Sequence, residues 1–267
     1  MKLIKSIKST ITRINAYGDI VSDYELGETL YNERGHEISH KLLNEDGEIE
    51  NKVMYELDEN GNILSQVHYE RSNDLIERTD FFDTDDSVQY RSEITTKDGY
   101  KTIHEYHYNQ IGNTDQITIK NEQNLVEAHE IFKFNDKNLV IEEVRTNENY
   151  VPQFTKKLSY DESDRLSKEQ FFDHLNRSQR VIEYHYNEKG LLVEKVDTNQ
   201  EFGNLTLHKY TYDLTGNQIL DETFQNGLLS FKNQCKYDDW NNLIEERVIQ
   251  TGQENFIDII QHQIEYQ

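Results

Sequence analysis

The sequence predicts an all-β protein, a single long antiparallel meander of about 20 strands that is curved or rolled into a coiled or barrel-like sheet. Three observations predict this fold. An aromatic residue or leucine recurs about every 26 residues, a turn-forming residue follows four positions later, and segments of alternating apolar and polar residues lie between. We expect one repeat domain over residues 1–267, with about ten two-strand units and the end units acting as caps.

The recurring residue of each unit, here called the anchor, marks the first turn. The anchors are Tyr31, Leu57, Phe82, Tyr108, Phe134, Tyr160, Tyr186, Tyr212 and Tyr237, spaced by 25 or 26 residues. Four residues after each anchor stands Gly, Asn or Asp, the residues that best tolerate a left-handed backbone. The next residue after each anchor is Asn or Asp, whose side chain can bond the turn backbone. These features predict a tight hairpin turn, the anchor turn, in every unit.

A second turn, the half-unit turn, falls midway between anchors with looser spacing. Its expected positions are Gly47, Asn73, Gly99, Asn124, Asn149, Asn176, Gly203 and Gly227. Between turns, segments such as 181–186 alternate in polarity and are rich in β-formers. An anchor and the residue two before it share a face of the strand. We therefore expect two aromatic ladders, exemplified by Tyr184 and Tyr186, that form the core, with acidic side chains on the other face.

The charge balance narrows the choice of partners. The chain carries 51 acidic and 28 basic residues, a formal net charge of −23. Such a field repels phosphate backbones and anionic membrane surfaces, so neither nucleic acid nor membrane is an expected partner. A basic protein or weakly held metal cations remain compatible. The alternative is that acidity only keeps a long sheet soluble and discourages edge-to-edge pairing.

Targeting and redox features are few. Cys235 is the single cysteine, which excludes an intramolecular disulfide and a cysteine metal cluster. The first 19 residues lack the apolar run of a signal peptide, and no stretch approaches the roughly 18 apolar residues of a membrane span. We expect a cytoplasmic protein.

Catalytic and metal-binding motifs are weak. His104 and His107 form the tightest histidine pair, but residues three apart on a strand point to opposite faces, which disfavours zinc. The turn at residues 80–86 offers oxygen ligands for calcium but lacks the glycine and terminal glutamate of an EF-hand loop. No nucleophile elbow, phosphate-binding loop or Cys/His pair is present. We expect neither an enzyme nor a bound cofactor or metal.

Four residues are candidates for partner binding. Trp240, the only tryptophan, lies inside an anchor turn, where an exposed indole would serve as an interface anchor. The alternative is that Trp240 folds back as a cap on the last units. Asp83, Asp85 and Asp86 form the densest acidic turn. Function is expected where units diverge, in residues 81–100 and in the irregular turn at residues 147–154.

The anchor-turn pattern resembles that of a known family. Tyr160-Asp-Glu-Ser-Asp-Arg165-Leu166 and Tyr212-Asp-Leu-Thr-Gly216-Asn217 resemble the YD (Rhs) repeat, whose long members wrap a β-sheet shell around a toxin domain. The short unit is also similar to the MORN-variant repeats of proteins named as antitoxins, which are common in Bacteroidetes-type genomes. The resemblance implies a β-repeat scaffold over nearly the whole chain.

These observations favour a non-enzymatic protein-binding scaffold. Its more specific form is an immunity or antitoxin protein that neutralises a basic toxin domain, since an acidic surface mimics phosphate and steers association. Two alternatives stay open. One is a structural or surface-associated interaction module, and the other is a carbohydrate-binding protein that uses aromatic residues as platforms.

Overall fold

The computed structural model of the chain describes residues 3–71, 74–83, 90–251 and 256–266, which form β-strands joined by turns. The first ten strands are β1 (Ile4–Ile14), β2 (Ile20–Tyr31), β3 (Glu37–Leu43), β4 (Ile49–Leu57), β5 (Ile63–Glu70), β6 (Asp74–Asp83), β7 (Tyr90–Thr96), β8 (Lys101–Tyr108), β9 (Thr114–Asn121) and β10 (Val126–Phe134). The last ten are β11 (Val140–Asn147), β12 (Pro152–Tyr160), β13 (Leu166–Asp173), β14 (Ser178–Tyr186), β15 (Leu192–Asn199), β16 (Asn204–Tyr212), β17 (Gln218–Gln225), β18 (Leu228–Tyr237), β19 (Leu243–Gln250) and β20 (Ile257–Tyr266). The described residues include no helix with the length and hydropathy that a membrane-spanning helix needs.

The twenty strands belong to one antiparallel sheet. The pairs that the structure describes join strands that follow one another in the chain, as β13 with β14 and β14 with β15. One of the described pairs departs from this rule, because β1 pairs with β20 as well as with β2. The first and last strands are therefore neighbours. This arrangement confirms the predicted fold class, an all-β antiparallel meander in a barrel-like sheet.

The anchor turns have the predicted chemistry, shown here for the turn after Tyr186. The Asn187 side-chain oxygen accepts the backbone N–H groups of Lys189 and Leu191, each at 3.0 Å. Gly190 has φ 84° and donates its N–H to the Asn187 carbonyl at 2.9 Å. The register of β14 on β15 shifts between His185 and Tyr186, as it does at a bulge beside a short loop. Each anchor turn within the described residues is thus a short hairpin loop held by its own Asn or Asp.

The half-unit turns are nearly as regular as the anchor turns. Positive φ angles occur at Gly47, Gly99, Asn124, Asn176, Gly203 and Gly227, residues that mark the predicted turns. Asn73 lies outside the described residues. Asn149 lies in its predicted turn, but the left-handed residue there is Tyr150, at φ 60°. The asparagine stands one residue before the position that takes the positive φ.

The chain divides into two compact units. Unit 1 comprises Met1–Arg78 and Leu207–Gln267, and unit 2 comprises Thr79–Thr206. The single repeat domain over residues 1–267 stays a prediction.

Burial is shallow throughout the described residues. The accessible surface is 16984 Å², whereas a compact monomer of 31.8 kDa exposes about 12,000 Å². Hydrophobic residues are buried at Ile11, Ile103, Ile119, Ala128 and Ile182, and polar residues at Ser6, Ser65, Ser92, Thr118, His129 and Thr146. The anchor tyrosines are only half-buried, and Phe82 is 43% exposed, so the expected aromatic core is wrong in its depth. A single sheet layer has no second layer to cover it.

Charged side chains occupy both faces of the unit 2 sheet. On the face that carries the anchors, Lys156 lies 3.3 Å from both Glu143 and Glu169. The Tyr184 hydroxyl donates to Glu169 at 2.7 Å, and burial followed by this hydrogen bond raises the pKa of Tyr184. On the opposite face, Lys168 pairs with Glu183 at 3.7 Å. The expectation that acidic residues avoid the anchor face is wrong, because a shallow face leaves room to hydrate and pair them.

Candidate partner-binding surface

The predicted binding residues lie at separate places in the sequence of strands. Trp240 stands in the anchor turn between β18 and β19 of unit 1 and is 78% exposed, so it does not fold back as a buried cap. Its backbone N–H donates to Asp238 at 2.9 Å. Asp83 ends β6 in unit 2 and is exposed. Asp85 and Asp86 lie outside the described residues. Their role in partner binding stays a prediction.

The histidine pair at residues 104 and 107 is split between the two faces of β8. His104 pairs in register with Ile119 and His107 with Gln116, positions of opposite parity on β9. The His107 Nε2 lies 3.1 Å from the Thr118 hydroxyl. Within residues 3–71, 74–83, 90–251 and 256–266, no group of three or more His, Cys, Asp or Glu side chains is placed to hold a metal ion.

A periodic apolar surface appears on the half-unit turns of unit 2. We call it the half-turn surface and define it as residues 96–100, 121–125, 147–151, 173–177 and 199–203. Its large apolar side chains are between 51% and 70% exposed: Tyr100, Leu125, Tyr150, Val151, Leu175 and Phe202. Successive half-unit turns are two strands apart, about 10 Å. Every one of these five turns therefore presents at least one apolar side chain to solvent.

Local hydrogen bonds fix these turns, as the turn between β9 and β10 illustrates. The Asn121 side-chain oxygen accepts the N–H groups of Gln123 at 3.1 Å and Leu125 at 3.0 Å. Asn124 takes the left-handed conformation at φ 64°. Leu125 thus follows a backbone that is already held in place, which lowers the conformational entropy that a partner must remove on contact.

Tyr150 is the most unusual residue of the surface. Its φ of 60° is a backbone conformation that costs roughly 1–2 kcal/mol for a residue with a side chain, and corresponding half-unit turns use Gly or Asn there. The Tyr150 ring stacks on the buried His129 ring, with centroids 4.0 Å apart and planes 8° from parallel. Burial lowers the pKa of His129, which favours the neutral imidazole under the tyrosine. A strained aromatic that stays more than half exposed is typical of a binding site rather than of packing.

The half-turn surface is also acidic. Its five segments contain five acidic side chains, Asp98, Glu122, Glu148, Asp173 and Glu201, and two basic ones, Lys97 and Arg177. Arg177 is paired with Asp173 at 2.6 Å within its own turn. The exposed apolar residues therefore stand among carboxylates, a combination that complements a partner with apolar and basic side chains.

The anchor turns of unit 2 have a different exterior. We call residues 108–112, 134–138, 160–164 and 186–190 the anchor-turn surface. Its one large apolar side chain with high exposure among the described residues is Ile111. Neighbouring turns are joined by an ion pair between Lys137 and Asp164 at 2.6 Å, and the Arg165 guanidinium lies 4.6 Å from the Tyr186 ring centroid. These contacts connect neighbouring repeats within unit 2 and leave few apolar groups for a partner.

Sequence reasoning missed the half-turn surface although a signal was present. The apolar residue stands immediately beside the turn residue in each segment, as in Gly99-Tyr100, Asn124-Leu125 and Phe202-Gly203. The spacing of the turn residues locates the strands, whereas this signal lies in their neighbours. The irregular turn at residues 147–154 was nevertheless a predicted place for function, and it contains Tyr150.

The solved structures that are similar to this chain share little sequence with it. No protein-family model matches the chain, and no curated protein sequence matches it either. A solved porin-like protein from Bacteroides uniformis is 11% identical, with a TM-score of 0.39 and 98% of each chain covered. A second porin-like protein, from Bacteroides vulgatus, is 10% identical, with a TM-score of 0.27, covering 100% of this chain and 99% of the other. These identities and TM-scores add nothing to the fold class that the strand pairing establishes.

Proposed function

We propose that the chain is a non-enzymatic protein-binding scaffold that holds a basic protein partner on the half-turn surface of unit 2. The observation that carries this proposal is the set of six exposed apolar side chains on five successive turns. Scattered apolar residues are ordinary on protein surfaces, but a contiguous set is typical of an interface. The strained Tyr150 in the middle of the set supports the same function.

The partner is basic, and its more specific form is a toxin domain that this chain neutralises as an immunity or antitoxin protein in the cytoplasm. The net charge of −23 and the carboxylates among the apolar residues support a basic partner, because opposite charges speed encounter and disfavour wrong partners. The same charge argues against nucleic acid. Ion pairs on both faces of the unit 2 sheet support a partner met in water, since a lipid-facing charge costs about 2–4 kcal/mol.

Co-expression with the product of the adjacent open reading frame tests this function. Wild-type chain is expected to relieve the toxicity of that product and to co-purify with it. The substitution Leu125→Asp places a charge on the half-turn surface and is expected to weaken the complex at least about tenfold, as loss of an interface anchor does. The matched control is Ile111→Asp, because Ile111 is 62% exposed on the anchor-turn surface and Leu125 is 63% exposed.

The results distinguish a wrong function from a wrong binding surface. Absence of both rescue and complex with the wild-type chain would contradict the toxin-neutralising function. Rescue that Leu125→Asp and Ile111→Asp reduce equally would retain the binding function but reject the half-turn surface as its location.

A further inference from the structure

A cavity of about 660 Å³ lies in unit 1, at the end of the β1–β20 pair where the anchor turns are. Its walls are formed by Leu3, Ile4, Tyr31, Gly35, Trp240, Asn242 and Tyr266. The volume falls within the roughly 300–1,000 Å³ of small-molecule sites, and the lining has their usual composition of apolar and aromatic groups with a few polar atoms.

The cavity walls come from three parts of unit 1. Ile4 and Tyr266 are paired across β1 and β20, and Tyr31 ends β2. Trp240 belongs to the turn between β18 and β19, where Asp238 accepts the N–H groups of Trp240 at 2.9 Å and Asn242 at 2.8 Å. The exposed indole is therefore carried by a fixed turn beside the cavity.

Tyr31 differs from three of its counterparts in other repeats. The hydroxyls of Tyr160, Tyr186 and Tyr237 each donate to a backbone carbonyl 19 or 20 residues earlier, at 2.7 to 3.0 Å. The Tyr31 hydroxyl has no such carbonyl among the described residues, and Tyr31 is part of the cavity wall. Burial, and secondarily the charge of Glu37, raises the pKa of Tyr31, so its proton remains in place to be donated.

The polar atoms of the wall are neutral and directed by local bonds. The Asn242 amide donates to the Tyr266 hydroxyl at 2.8 Å and to Asp238 at 2.9 Å. The Tyr266 O–H proton and the Asn242 side-chain oxygen therefore remain to bond a ligand. Among the described residues, no charged side chain contributes to the lining, which disfavours an ion. An acyl chain would leave these polar groups without partners at a cost.

We propose that this cavity binds a neutral sugar, a mono- or disaccharide with its pyranose ring stacked on Trp240. An aromatic face, two phenolic hydroxyls and an amide oxygen match the apolar ring face and the hydroxyl groups of such a ligand. Tyr160, Tyr186 and Tyr237 do not offer this site, because backbone carbonyls accept hydrogen bonds from their hydroxyls. This site is independent of the protein partner proposed for unit 2.

Intrinsic fluorescence tests the proposal directly, because Trp240 is the only tryptophan in the chain. The probes are maltose, cellobiose, lactose and N,N′-diacetylchitobiose, with dodecanoate as the apolar comparison. We expect a saturable shift of the Trp240 emission with at least one of the four sugars. No saturable shift with any of them overturns the proposal, and so does a saturable shift with dodecanoate alone.

Variants then assign the response to the cavity. Tyr31→Phe keeps the ring and removes the hydroxyl, so the affinity for the sugar should fall about tenfold, as loss of one hydrogen bond predicts. The control is Leu214→Ala, on the neighbouring anchor turn, where Leu214 is 95% exposed and absent from the cavity wall. Sugar binding that is unchanged in Tyr31→Phe, or reduced as much in Leu214→Ala, would overturn the assignment.

Discussion

The two turn surfaces of unit 2 are built by the same local chemistry and present opposite exteriors. In both, an Asn or Asp accepts two backbone N–H groups and a later residue takes a left-handed conformation, as Asn135 and Asn121 show. On the anchor-turn surface, side chains contact those of neighbouring repeats. On the half-turn surface, apolar side chains are exposed to solvent. A hairpin loop of this kind therefore specifies a backbone and leaves its outward residues open to selection for binding.

The largest expected difference between the surfaces is in stability. Tyr186→Ala removes a half-buried ring, its hydrogen bond to the Leu166 carbonyl and its contact with Arg165, and should lower the free energy of unfolding by about 2 kcal/mol. Leu175→Ala on the half-turn surface should change it by less than about 0.5 kcal/mol. Urea denaturation of both variants measures the two values. Equal losses would mean that the half-turn residues are scaffold as well.

The next effect concerns Tyr150, where strain and binding are expected to separate. Tyr150→Asn relieves the left-handed strain but loses the stacking on His129, so the free energy of unfolding should change by less than about 1 kcal/mol. Affinity for the co-expressed partner should fall about tenfold. Denaturation and a binding titration on the same variant measure both. A stability loss of several kcal/mol would show instead that Tyr150 is a packing residue.

The smallest expected difference is between the turn caps. Asn135→Ala and Asn121→Ala each remove two hydrogen bonds to backbone N–H groups, one on each surface, and each should cost about 1 kcal/mol. Thermal unfolding of the two variants checks that the costs agree. A much larger loss of stability in Asn135→Ala than in Asn121→Ala would mean that the two kinds of turn differ in their backbone and not only in their exposed side chains.

Strand positions and turn chemistry were predictable from the sequence because few residue types satisfy them. A left-handed residue in these loops is nearly always Gly, Asn or Asp, so the spacing of those residues locates the strands. The rule failed at Tyr150, where the chain keeps a strained aromatic. Alternation also placed the anchors on one face, but it carries no information on how deeply a single layer covers them, and Phe82 is largely exposed.

The candidate sites were less predictable, for a different physical reason. Leu125 and Leu175 are exposed because their turns project beyond the sheet. The residue type alone does not predict this exposure. The cavity beside Trp240 forms only when β1 pairs with β20. Local sequence patterns do not predict a contact between residues 253 positions apart, such as that of Ser9 with His262. For Trp240 the sequence left an exposed indole and a cap as alternatives, and the side chain is exposed because an indole inside a tight loop has little to pack against.

The pairing of β1 with β20 has a kinetic consequence. Pairs between consecutive strands are local hairpins, which form fast and independently, whereas closing a loop of about 250 residues costs about 5 kcal/mol of chain entropy if nothing has formed before. Folding should therefore proceed as a series of local hairpins followed by one late closing step. The bidentate contact of Arg13 with Asp258, at 2.7 and 2.9 Å, and the long β1–β20 register are the interactions that retain the closed state.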